Sequence, residues 1–103
     1  MVTMTVIYRT PKDIEFFERH YFDVHIPLAK KLPGLIKYEI NNSAVFSTTG
    51  HECFRIANLY FDSMEAMKAA FASETGQQCA ADRKILAPTS EDVQIYVYDS
   101  KEV

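Results

Sequence analysis

An α+β sandwich of element order βαββαβ, with four antiparallel strands and the helices on one face, is the fold class predicted from three observations. Four short segments, residues 2–9, 35–40, 53–61 and 93–98, are rich in β-branched and aromatic side chains and read as strands. Two longer segments, starting at Asp13 and Asp62, carry apolar residues at steps of three and four, the period of a helix. Proline, glycine and small polar residues punctuate the boundaries at Thr10-Pro11, Pro33-Gly34, Asn41 to Glu52 and Ala87-Pro88-Thr89-Ser90.

Taken in order, Val2, Met4, Val6 and Tyr8 share one face of the first strand, and Thr3, Thr5 and Ile7 share the other. Pro11 suits a helix entrance, where its missing N–H would be unpaired in any case. In the first helix Ile14, Phe17, Tyr21, Val24 and Leu28 form an apolar stripe, and His25 falls on that side. Pro27 removes a donor and disfavours helical backbone at Ile26, so a kink or restart is expected near His25. The second strand puts Ile36, Tyr38 and Ile40 on one face and Lys37 and Glu39 on the other. Residues 53–61 are almost continuously apolar, broken by Arg55 and Asn58, and read as a central strand covered on both faces. Asp62 with Glu65 forms a helix-start box. Met67, Ala70 and Phe71 give the inner face of that helix, and Ser73 caps a further short helix through Gly76, Cys79, Ala80 and Arg83. Val93 to Tyr98 is the last strand.

Right-handed connections through this order give a ferredoxin-like sandwich over a single domain, residues 1–103. One sheet face stays bare in a monomer. A composition of 48% hydrophobic and 13% aromatic residues is more apolar matter than so small a domain hides. A homodimer with the two sheets face to face, a dimeric α/β barrel, is therefore expected.

A net charge of −3 and no Lys/Arg patch beyond Lys30-Lys31 argue against nucleic acid or an anionic membrane as partner. Cys53 and Cys79 match no metal or redox spacing and read as reduced thiols. The start of the chain reads as a strand and not as a signal peptide, and no stretch has the ~20 apolar residues of a membrane helix. A cytoplasmic location follows as an expectation.

Tyr21-x-x-x-His25-x-Pro27-Leu28, Leu32-Pro33-Gly34-Leu35-x-x-Tyr38-Glu39 and Leu59-Tyr60-Phe61-Asp62-Ser63-x-Glu65-Ala66 resemble the EthD family. The resemblance runs over nearly the full chain. It implies the dimeric α/β barrel superfamily, which also holds cofactor-free monooxygenases, cyclases and lactone isomerases. Relatives carry a carboxylate near the middle of strand 3 and an aromatic before the last strand. This chain has Asn58 and Leu86 there, so no role for that carboxylate carries over.

His25 is the candidate catalytic residue, because an imidazole held at a kinked helix over a sheet can act as a general base near neutral pH. Tyr21, Tyr38 and Tyr96 are candidate substrate-binding walls, since a buried phenol needs a partner that a ligand oxygen can supply. Ordinary core or interface packing is the plainer reading of each. Asn58, polar in an apolar strand, either faces the pocket or bonds across a dimer. Arg55 has the opposite strand parity and is expected at a sheet end or an interface. His20 and His25 diverge by roughly 140° on a regular helix, so a shared metal site is not expected, and His20 and His51 read as solvated. No dinucleotide fingerprint, phosphate loop or nucleophile elbow occurs, so chemistry without a cofactor is expected. The reading is a small hydrophobic oxygenated molecule handled by oxidoreductase, cyclase or isomerase-type chemistry. The alternatives are a carrier or accessory to an oxidoreductase, and a dimer with no pocket.

Overall fold

The computed structural model describes residues 1–103. Its strands are β1 (Val2–Tyr8), β2 (Lys37–Ile40), β3 (Arg55–Phe61) and β4 (Val93–Asp99). They form one antiparallel sheet of order β2-β3-β1-β4, the ferredoxin-like arrangement. No helix is long and apolar enough to cross a membrane.

Residues directly opposed in an antiparallel ladder point the same way. The pairing Met4 with Leu59 and Val97, and Leu59 with Tyr38, defines the inner face. Val2, Val6, Tyr8, Ala57, Leu59 and Phe61 from this face join Phe17, Tyr21, Met67, Ala70, Cys79 and Leu86 of the helices in one core. The opposite face holds Thr5, Asn58, Tyr96 and their neighbours, with Tyr96 and Tyr98 exposed.

The first helical segment has three parts: α1 (Ile14–His20), a π-helical turn (Tyr21–His25) and α2 (Ile26–Ala29). Asp13 caps α1 by accepting from the Phe16 N–H at 3.0 Å. The break expected at Pro27 takes the form of this wide turn, closed by the Ile26 N–H on the Tyr21 carbonyl. In a regular helix Pro27 would have no N–H for the Asp23 carbonyl and its ring would crowd it; the five-residue repeat opens that space. The wide turn also changes the phase of the apolar stripe. The buried series is Phe17, Tyr21, His25 and Ala29, in steps of four, while Ile14 and Val24 are 48% and 43% exposed. Expecting Val24 inside assumed an unbroken 3.6-residue period; Ile14 lies before the wide turn, in the first turn of α1, and is exposed there.

α3 (Met64–Ala72) is capped by Ser63, which accepts from the Ala66 N–H at 3.1 Å, and not by Asp62. Ser73 ends α3 and caps α4 (Glu74–Leu86), accepting from the Gly76 N–H at 3.1 Å. The corner is tight at Gly76, where a Cβ would stand 2.3 Å from the Ala70 carbonyl oxygen. This corner aims α4 across the π-helical turn.

Candidate active site

A cavity of about 150 Å³ lies between the inner sheet face, the π-helical turn and α4. Met4, Val6, Ala57 and Leu59 give it an apolar floor, and Ala29, Leu32 and Phe71 close it from the helices. Tyr8, Tyr21, His25, Tyr38, Cys79 and Arg83 bring polar atoms to the same wall. A mostly apolar hollow with a few convergent polar groups is the usual form of a small-molecule site.

His25 is 8% exposed, and its Nδ1 lies 2.8 Å from Oδ2 of the equally buried Asp82 on α4. An ionised carboxylate only accepts hydrogen bonds, so Nδ1 carries the hydrogen and Nε2 keeps its lone pair. Nε2 has no hydrogen-bond partner in the protein, yet it is not sealed from solvent. Burial pulls the His25 pKa below its ordinary value, outweighing the hydrogen bond and charge of Asp82, which push it up. The ring is therefore neutral near pH 7, as a base must be. It stacks on the Tyr21 ring, with centroids 5.4 Å apart.

The other carboxylate oxygen of Asp82 meets His20 Nε2 at 2.7 Å, and the His20 ring stacks on Phe16. His20 is thus not solvated, contrary to expectation. The 140° divergence holds for a regular helix, but the π-helical turn between His20 and His25 brings residues five apart back onto one side.

The Tyr21 and Tyr38 hydroxyls lie 2.7 Å apart. Burial pushes the Tyr38 phenol up to about 12 and that of Tyr21 further still. Burial raises Tyr8 too, and its hydroxyl has no partner in the protein. Arg55 begins β3, at the sheet end, but on the helix side. Its Nη2 donates to Glu18 Oε1 at 2.6 Å, and the guanidinium lies 4.6 Å from the Tyr21 ring centre. Its Nε and Nη1 have no hydrogen-bond partner, and the rings of Phe17, Phe22 and Phe54 surround them in place of one.

Of the residues singled out from sequence, His25, Tyr21 and Tyr38 meet in the cavity. Asn58 and Tyr96 do not. Both stand on the opposite sheet face, where Thr5 Oγ1 donates to Asn58 Oδ1 at 2.6 Å and Thr5 pairs with Tyr96 in the ladder. Strand parity decides this: with Arg55 turned to the helices, Asn58 three residues on must turn away. Asp82 and Tyr8 were missed. Tyr8 shares the parity of Val2, Met4 and Val6, and Asp82 falls between Cys79 and Leu86 at helical steps, so a signal existed for both.

The model of the EthD domain matches residues 9–90. An uncharacterised 11.0 kDa protein of Rhodococcus erythropolis, from the thcB-thcC intergenic region, is 32% identical over 82 residues, which cover 80% of each chain. An ethyl tert-butyl ether degradation (EthD) family protein of Bacillus halodurans superimposes with a TM-score of 0.87 at 25% identity, over 98% of this chain and 99% of its own. Two more distant structures share the fold, each with a TM-score of 0.69. SnoaB, a cofactor-independent oxygenase from Streptomyces nogalater, is 13% identical, with 99% of this chain and 94% of that one covered. A dimeric ferredoxin-like protein of unknown function from Jannaschia is 14% identical, with 97% and 100% covered.

Proposed function

This chain belongs to the EthD family, and on that premise we propose that it admits a small, mostly apolar, oxygen-bearing molecule to the helix-sheet cavity and removes a proton from it with His25, without a cofactor. The observation that supports this best is the pairing of His25 Nδ1 with Asp82, which leaves a neutral, accessible Nε2 in an apolar hollow. Nε2 takes the proton. The electron pair left behind moves onto the adjoining carbonyl oxygen as an enolate, which the Tyr38 hydroxyl receives. Asp82 stabilises the imidazolium through a charge-assisted hydrogen bond. Oxidoreductase, cyclase and isomerase chemistry share this first step, and the likeness to a cofactor-independent oxygenase lends it support at the level of fold.

On the other sheet face, the exposed Tyr96 and Tyr98 and the Thr5–Asn58 bond suit contact with a second copy, so Asn58 and Tyr96 belong to a homodimer interface in this reading. A dimeric neighbour of the same fold supports it. Two unpaired cysteines, Cys53 and Cys79, suit a reducing, cytoplasmic setting.

The test is proton exchange. A bound ketone found by ligand-observed NMR screening is followed in D₂O for deuterium uptake at its α-carbon, with wild type and His25→Asn. Uptake lost with binding retained is expected. Unchanged uptake in folded His25→Asn removes the histidine as base, and binding without uptake in wild type makes the protein a carrier.

A further inference from the structure

From the hydrogens that the cavity leaves unspent we infer its ligand class: a neutral, enolisable ketone about one ring in size, its oxygen held by the Tyr38 and Tyr8 hydroxyls and its α-hydrogen turned to His25. The inference rests on the reading of His25 as base and extends it to the substrate.

Tyr21 and Tyr38 own two phenolic hydrogens but share one hydrogen bond, at 2.7 Å, and neither hydroxyl has another partner in the protein. Tyr21 is 0% exposed, so a hydrogen left over on it would have nowhere to go. Its hydrogen therefore lies in the bond to Tyr38. The half-buried Tyr38 keeps its own hydrogen free for the cavity it lines. Tyr8 lines the same cavity with an unpartnered hydroxyl. Both phenols hold their protons far above neutral pH, so both act as donors. The free base at this wall is the lone pair of His25 Nε2, with Cys79 Sγ and the N–H groups of Arg83 other than the Nη1 hydrogen-bonded to Ala87 further along the lining.

Two phenolic donors beside one base call for an oxygen with two lone pairs next to a removable hydrogen. A ketone supplies both, one lone pair for each phenol. When the α-hydrogen leaves, the oxygen becomes anionic, and hydrogen bonds to an ionised acceptor are roughly twice as strong as neutral ones. The phenols thus hold the enolate better than the ketone, which is what lowers a barrier. A carboxylate would have to turn to Arg83, the one cation on the wall, whose Nη1 already donates to the Ala87 carbonyl at 3.1 Å. An ion without a full partner in apolar walls is costly. As for size, a cavity of about 150 Å³ matches the apolar cavity known to admit benzene.

The experiment titrates cyclohexanone, cyclohexane and cyclohexanecarboxylate into the wild-type protein by NMR and follows α-deuterium uptake by cyclohexanone. Cyclohexanone is expected to bind at least about tenfold more tightly than the other two, the worth of two net hydrogen bonds. Tyr38→Phe and Tyr8→Phe are each expected to weaken cyclohexanone about fivefold and leave cyclohexane unchanged. Each carries the test if the other does not fold. Equal or tighter binding of the hydrocarbon or the carboxylate overturns the ligand class, as does an unaltered preference in both variants. Ketone binding that depends on Tyr38, without α-deuterium uptake, supports the ligand class and removes the base. Uptake that depends on His25 without any preference for the ketone does the reverse.

Discussion

Asp82→Asn tests the site at its hinge. The carboxylate accepts from both imidazoles, at 2.7 Å from His20 and 2.8 Å from His25. An amide of nearly the same volume has one oxygen and one NH₂ to offer. If its oxygen faces His25, the base tautomer survives but the imidazolium loses its anionic partner. A charge-assisted bond contributes about 1.5–3 kcal/mol against about 1 for a neutral one, so roughly 1–2 kcal/mol of transition-state stabilisation goes. If the NH₂ faces His25, the hydrogen moves to Nε2 and the lone pair is gone. Both orientations lower the α-proton exchange rate, by about fivefold to thirtyfold in the first case and more in the second. The acid limb of the pH–rate profile also moves to lower pH, because the group that raises the His25 pKa has been removed. Exchange is read by NMR on cyclohexanone, and folding by urea titration, where a cost of about 1–2 kcal/mol is expected. A folded Asp82→Asn protein with wild-type exchange and an unmoved acid limb refutes the role given to this carboxylate.

Two further outcomes are expected. The folded-state pKa of His25 lies below its unfolded value near 6.5, so below about that pH the unfolded chain binds the proton first and stability falls as the solution is acidified. Asp82, Arg83 and His20 are the charged or titratable groups around the ring. The urea midpoint should drop between pH 7.5 and 5.5 and flatten in His25→Asn; a midpoint that rises on acidification contradicts the assignment. On the outer face, Asn58→Lys would place an ammonium between the two sheets of the proposed homodimer, and burial of an unpaired charge is costly. Light scattering after gel filtration should show the variant dissociating at a concentration at least about tenfold higher than the wild type does, and a wild-type protein that is already monomeric at micromolar concentration defeats the dimer.

Much of the architecture was legible in the order of side chains. Period-two alternation marked the strands, Ser73 marked the break in the second helical segment, and Pro27 marked the disturbance beside His25. These are local effects, set by backbone sterics and by hydrogen bonds that reach four or five residues. The same local logic placed Tyr21, His25 and Tyr38 among the candidates before any contact was known. It could not say that the disturbance at Pro27 is a π-helical turn, and that one wide turn re-phased the buried stripe and brought His20 round beside His25.

The sequence by itself therefore determined the elements, their order and the side chains able to do chemistry. Tertiary packing alone decided which of them meet. Asp82 is 57 residues from His25 and 62 from His20, and what joins the three is the path of α4, set at the Gly76 corner by helix-on-sheet packing. Asn58 and Tyr96 left the cavity for the same kind of reason: a strand has two faces, and which one is buried depends on the layer that lands on it.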